Sequence, residues 1–124
     1  MLRARFGLVP GMSPAAAAQA IEAGLGEIDA GLLAYRTELM TALSVHPEAP
    51  GTAEPRRSAP EQTLAAVREV FAALARLRPQ VVFIDDWHWA DDATRQVVYA
   101  IRDLGNVPVL LLVATRPPEL GDVE

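Results

Sequence analysis

The chain has 124 residues, enough for one compact domain or part of one, and a chain of that length buries roughly two thirds of its extended surface on folding. Eleven basic residues against 16 acidic ones leave a net charge of −5, which argues against a polyanion-binding surface and against nucleic acid as a direct partner. Cysteine is absent, the longest apolar run (Val107 to Ala114) cannot span a bilayer, and Arg3 and Arg5 are not followed by an apolar block with a cleavage site; disulfides, thiolate metal sites, membrane spans and secretion signals are all unexpected, and a cytoplasmic location is the default.

In chain order, Met1 to Pro10 is a short apolar lead-in, and residues 1–45 read as a helical segment. Ser13-Pro14 has the form of an N-cap followed by proline at the first helical position. The helix that follows should run to about Leu25, with Gly24 and Gly26 marking its end. A second helix is expected from about Glu27 to Leu43, with Ile28, Leu32, Leu33, Leu39, Met40 and Leu43 at roughly helical spacing. Residues 46–60 hold four prolines and almost no bulky apolar side chain, so they read as a loop.

Ser58 to Glu61 fits a capping box. Beyond it Leu64, Val67, Phe71, Leu74 and Leu77 form one apolar stripe of an amphipathic helix that Arg78-Pro79 ends. Gln80 to Ile84 is a short β-branched and aromatic run of the kind found in strands covered on both faces. Asp91 or Asp92 can cap the next helix, with Val97, Val98 and Ile101 facing inward and Gly105 closing it. Residues 107–114 then supply a second buried strand. Strand, helix, strand within so short a span is a βαβ unit with parallel strands and a right-handed crossover. Residues 61–119 hold this unit, 120–124 form a tail, and the fold class expected is a mostly helical α/β fragment with parallel strands at about 80–85 and 107–114.

The segment VVFIDDWHWADD, residues 81–92, carries the chemistry. Parallel sheets bind ligands at the carboxyl ends of their strands, and Asp85-Asp86 sits at such an end. Thr115-Arg116 ends the second strand on the same side. Asp85 suits a hydrated magnesium ion, a hard cation that prefers carboxylate and water ligands. Asp86 can orient or deprotonate a water, Thr115 can hydrogen-bond that water, and Arg116 can meet phosphate with a planar charged fork. On the plainest alternative the two aspartates merely end a strand and begin a turn. A metal site from Asp85, His88 and Asp91 or Asp92 would be short of nitrogen or sulfur ligands. Trp87 and Trp89 can stack a base or pack the turn, of which packing is preferred; His46 and the pair Arg56-Arg57 receive no role.

VVFIDDWHWADDATRQVV resembles the Walker B segment of the signal-transducing P-loop ATPases of the AAA/STAND group. That pattern runs four hydrophobics, Asp, Asp or Glu, then hydrophobic-His/Gln-Trp-Ala-Asp leading into a helix. Asp85, Asp86, His88, Trp89, Ala90 and Asp91 match it, and Trp87 stands where the family usually has leucine. VLLLVATRPPEL resembles the family's next strand, with the sensor residue at Thr115, and GLVPGMSPAAAAQAIEAGL resembles its helical segment before Walker B. Residues 80–119 carry the resemblance most strongly.

The resemblance implies a three-layer αβα P-loop domain that uses ATP and magnesium, with Asp85 as the metal residue, Asp86 and Thr115 as catalytic residues, and Arg116 as a nucleotide-binding residue. It gives His88 and Trp89 the task of packing the turn that positions Asp85. Such domains occur in bacterial class III adenylate/guanylate cyclases, in large LuxR-type transcriptional regulators and beside some protein kinases. A P-loop requires GxxxxGK[ST], and every basic residue here is arginine, so no Walker A lysine exists in these residues. The expectation is therefore a fragment carrying Walker B and the sensor strand, with the P-loop strand before residue 1 and a lid region after residue 124. Alone it should neither bind ATP tightly nor hydrolyse it. Val109 to Val113 should keep an unpaired apolar edge that invites self-association or a protein partner, and stability should be marginal. The alternative is a non-catalytic interaction remnant using that edge. A glycine-rich loop ending in Lys-Ser or Lys-Thr in the DNA upstream of Met1 would separate the two.

Overall fold

The computed structural model describes residues 2–45 and 60–117. The proline-rich loop, Ser58 of the capping box, His46, Arg56-Arg57 and the tail from residue 118 lie outside the described residues.

Helix α1 (Leu2–Arg5) is a single turn, and Gly7 and Gly11, both at positive φ, bend the chain toward α2 (Pro14–Ile28). The Ser13 hydroxyl accepts from the Ala16 amide at 3.2 Å with Pro14 at the first helical position, so the cap and the proline act as the sequence suggests. The helix does not stop at Gly24 or Gly26. It runs on to Ile28 because Asp29 is the residue that leaves the helical conformation, its carboxylate accepting from Gly31 N at 2.8 Å and starting a 3-10 turn (Ala30–Tyr35). Helix α3 (Arg36–Ala42) follows, so the stretch read as one helix from Glu27 to Leu43 is the end of α2, a break at Asp29, the 3-10 turn and α3. An exposed Arg36–Glu22 pair at 3.0 Å ties α3 back to α2 and adds little, as exposed pairs do.

Gly24 has a packing duty instead of an ending one. Phe6 is buried with its ring against this glycine, and a Cβ there would overlap Phe6 Cδ1. Ile21 and Leu25 of the same helix are fully buried, as are Leu39 of α3 and Val70 of α4 (Pro60–Leu77). Each such side chain contributes roughly 1.5–3 kcal/mol by leaving water. Helix α4 packs on α3 along one side and on α5 (Asp92–Arg102) along another, burying Val67, Val70, Phe71, Ala73 and Leu74. Leu77, the last residue of the expected stripe, is exposed at the helix end.

Strands β1 (Gln80–Ile84) and β2 (Val109–Val113) pair in parallel, Gln80 with Val109 through Ile84 with Val113. They are shorter than the runs at 80–85 and 107–114: Pro108 has no N–H to donate, and the regular pairing ends at Ile84 and Val113. The βαβ connection is the one read from sequence: a mostly helical chain with two parallel strands, consistent with part of an α/β P-loop domain. The sheet, however, is covered on one face only. Val82 is buried, and Ile84, Val109 and Leu111 pack against the same core, whereas Val81, Phe83, Leu110 and Leu112 on the other face are 63, 59, 55 and 45% exposed. The outer edge of β2 is likewise unpaired among the described residues. Helix α5 ends at Arg102 and Gly105 does not close it; Asn106, with φ 61°, is the left-handed residue that returns the chain to β2.

The Gly24–Phe6 contact sets a clear test. Gly24→Ala is expected to destabilise the chain by about 1–3 kcal/mol in urea denaturation, since a buried ring must move. Gly26→Ala in the same helix, where an added methyl meets nothing within 4 Å, is expected to stabilise it by about 0.5–1 kcal/mol.

Candidate functional site

Two backbone hydrogen bonds extend the sheet past its last paired residues. Ala114 N donates to Ile84 O at 2.8 Å, and Trp87 N donates to Ala114 O at 2.9 Å. The segment after β1 is therefore fastened to the end of β2, and Asp85-Asp86 and Thr115-Arg116 leave the sheet at the same rim. The acidic pair is neither in a helix nor on the opposite edge. All four residues are exposed.

The pair is shaped locally. Asp85 Oδ1 accepts from Asp86 N at 2.8 Å, which leaves its second carboxylate oxygen for solvent or a ligand. Asp86 has φ 53° and ψ 45°, a left-handed conformation that aspartate tolerates better than most residues. A 3-10 turn over Trp87–Trp89 follows, with Trp89 N donating to Asp86 O at 2.8 Å and Ala90 N to Trp87 O at 3.0 Å. Asp91 is then committed to capping α5: its Oδ1 accepts from Thr94 N at 2.7 Å, and hydrogen bonding from the Thr94 side chain first and its backbone amide second outweighs slight desolvation and holds the carboxyl below the usual aspartate range. Of the two possible caps, the first is the one used.

The residues around the pair divide differently from expectation. Trp87 packs, edge-on against Tyr99 with ring centroids 6.1 Å apart. Trp89 does not pack the turn; it is 79% exposed, with its ring tilted against the neighbouring His88 ring at 5.5 Å. His88 Nε2 lies 3.9 Å from Asp86 Oδ1, a long contact that fixes nothing firmly. Thr115 Oγ1 donates to Arg116 O at 3.4 Å and Arg116 makes no ion pair among the described residues. One contributor escaped the sequence: Arg95, whose Nε donates to Ala90 O at 3.1 Å and whose guanidinium lies over Trp87 at 5.7 Å. Its signal was present as Arg95, Tyr99 and Arg102 at helical spacing, beside the apolar stripe and following an unusual tryptophan.

The donor set can be weighed against the cations it would suit. Among the described residues no three His, Asp or Glu side chains converge as a metal cage, so the site of Asp85, His88 and Asp91 or Asp92 does not form. One exposed carboxylate with a free oxygen, beside a second carboxylate, suits magnesium, which keeps most of its water and takes one or two carboxylates plus substrate phosphates. The chain's own residues fit that ion.

The AAA ATPase domain family matches residues 2–113. The chain belongs to that family. The match extends through α1 to α4 as well as the acidic pair, a wider span than the motif residues suggest, and it stops before Thr115 and Arg116, which stand on geometry alone. Nucleotide binding and hydrolysis, with magnesium, are the business of this family's domains. No curated protein and no solved structure matches the chain. No described helix is long and apolar enough to cross a membrane.

The capping role of Asp91 predicts a pH signature. Its carboxyl titrates lower folded than unfolded, so its contribution is complete above the ordinary aspartate value of 3.8 and is lost as pH falls from there through the lower folded value. In Asp91→Asn the amide still caps but cannot titrate. The stability difference between wild type and Asp91→Asn, from urea midpoints, is expected to be constant above about pH 5 and to shrink below about pH 4. A difference independent of pH over that range would contradict the assignment.

Proposed function

We propose that this chain supplies the cation-and-water half of an ATP-binding, ATP-hydrolysing signalling domain of the AAA/STAND type, within a multidomain regulator of the kind found in cyclases or LuxR-type regulators. Asp85 holds the hydrated magnesium ion of the nucleotide, Asp86 orients the attacking water as general base, and Thr115 with Arg116 addresses the terminal phosphate. The observation that supports this most is the shared rim: hydrogen bonds from Trp87 and Ala114 bring the acidic pair and the Thr-Arg pair to one end of a parallel sheet. With no lysine and no glycine-rich phosphate loop among the 124 residues, that cradle must come from other polypeptide, and this chain alone neither binds ATP tightly nor turns it over.

Mn²⁺ tests this directly as a paramagnetic stand-in for magnesium. In amide NMR spectra it is expected to broaden Asp85, Asp86, Thr115 and Arg116 together and weakly, and Asp85→Asn is expected to abolish the effect. Broadening that Asp85→Asn leaves intact would sink the metal assignment. ATP turnover by the purified chain should stay at background.

A second reading is supported by the bare sheet face and the open β2 edge: a non-catalytic remnant that binds a protein partner or a second copy there. Under it, sedimentation should show concentration-dependent association that Leu110→Lys and Phe83→Lys each weaken about tenfold or more, with Mn²⁺ broadening absent. A chain that stays monomeric to high concentration argues against self-association.

A further inference from the structure

The turn bearing the acidic pair hangs on few contacts. Asp86 sits in a conformation that L residues visit rarely, and its carbonyl accepts from Trp89 N, so the direction of both carboxylates is tied to the 3-10 turn. Among the described residues nothing covers that turn from the solvent side, where Trp89 is 79% exposed. Beyond the bond from Trp87 N to Ala114 O at the end of β2, the side-chain contacts that hold it come from α5.

Arg95 touches both ends of the turn. Its Nε donates to the carbonyl of Ala90, just after the turn, and its guanidinium stacks over the ring of Trp87, which begins it. Trp87 is in turn wedged against Tyr99, and the guanidinium of Arg102 lies 5.0 Å from the Tyr99 ring centroid. Cation, indole, phenol and cation thus follow one another along one side of α5, with Arg95, Tyr99 and Arg102 spaced four and three apart on the helix and Trp87 inserted from the turn. The backbone of Trp87 is also the group bonded to Ala114 at the end of β2. A single half-buried arginine therefore grips the residue through which the acidic pair is fastened to the second strand.

We propose that Arg95 is a positioning residue for Asp85 and Asp86. It keeps Trp87 and Ala90 at fixed separation and so holds the 3-10 turn, the left-handed Asp86 and the outward direction of both carboxylates. Arginine suits this task because one planar group both stacks on an aromatic face and donates a directed hydrogen bond from its edge. Lysine retains the charge above the ring but lacks the directed Nε donor. Methionine fills the space and does neither. The importance of that direction for cation binding rests on the assignment of Asp85 proposed above; the positioning itself does not.

Amide exchange and three-bond couplings of the full chain test it, in Arg95→Met, Arg95→Lys and Asp85→Asn. In Arg95→Met the amides of Trp89 and Ala90 are expected to exchange at least tenfold faster and the Asp86 coupling to drift from its left-handed value, while amides in α2 and α4 keep their protection. Arg95→Lys should fall between wild type and Arg95→Met, and it carries the test if Arg95→Met does not fold. Weak Mn²⁺ broadening at Asp85 should fall several-fold in Arg95→Met, whereas Asp85→Asn should lose it entirely with the turn amides unchanged. Wild-type exchange at Trp89 and Ala90 in both arginine variants overturns the proposal. If the turn loosens in Arg95→Met but Asp85→Asn binds Mn²⁺ like wild type, the positioning stands and the metal assignment of Asp85 is what fails.

Discussion

Everything at the candidate site depends on how two short parallel strands are registered. Ile84 pairs with Val113, and one further residue of pairing through Ala114 draws the chain after β1 over the end of β2. Because side chains alternate between faces, a slip of one residue would turn Val82 out of the core and bring Val81 and Phe83 in. It would also part the acidic pair from Thr115. The register is defended by burial on one side only, where Val82, Ile84, Val109 and Leu111 meet the hydrophobic core of the helices. The hydrogen bonds of Ala114 and Trp87 then carry that order past the strands into the turn.

The same arrangement explains an asymmetry in the molecule. Its helical half is well packed: Phe6 lies on Gly24, and Ile21, Leu25, Leu39 and Val70 are enclosed. Its sheet is half dressed, with four large apolar side chains facing water on one face and an open edge at β2. Parallel strands rarely persist in that state, since such sheets are ordinarily covered on both faces. Membership of the AAA ATPase domain family makes sense of it, because these strands have the composition of an interior sheet while the described residues cover one side of it.

Much of this was legible in the amino-acid order. Ser13-Pro14 announced a capped helix, the apolar runs announced the strands, and a strand–helix–strand span announced parallel pairing and hence a common rim. Asp91 was legible as a cap because short acidic side chains before a helix accept from its first amides. The misses have physical causes. Gly24 looked like a helix stop, but its role is set by Phe6, eighteen positions away in the chain and invisible to local pattern. Gly105 looked like the closing glycine, yet Asn106 takes the left-handed conformation. Continuous apolar strands cannot disclose which face lacks a partner, and Trp89 gives no sign in sequence that it faces water whereas Trp87 does not. Arg95 went unseen because its partners, a carbonyl and an indole, are fixed only once the turn has formed.

The shared rim is open to direct measurement through the hydrogen bonds that create it. Scalar couplings across hydrogen bonds, detected between an amide nitrogen and the accepting carbonyl carbon, are expected to link Ala114 to Ile84 and Trp87 to Ala114. Loss of both, or a coupling from Ala114 to Phe83 or Asp85 instead, would mean a different register, and the acidic pair and the Thr-Arg pair would no longer share a rim.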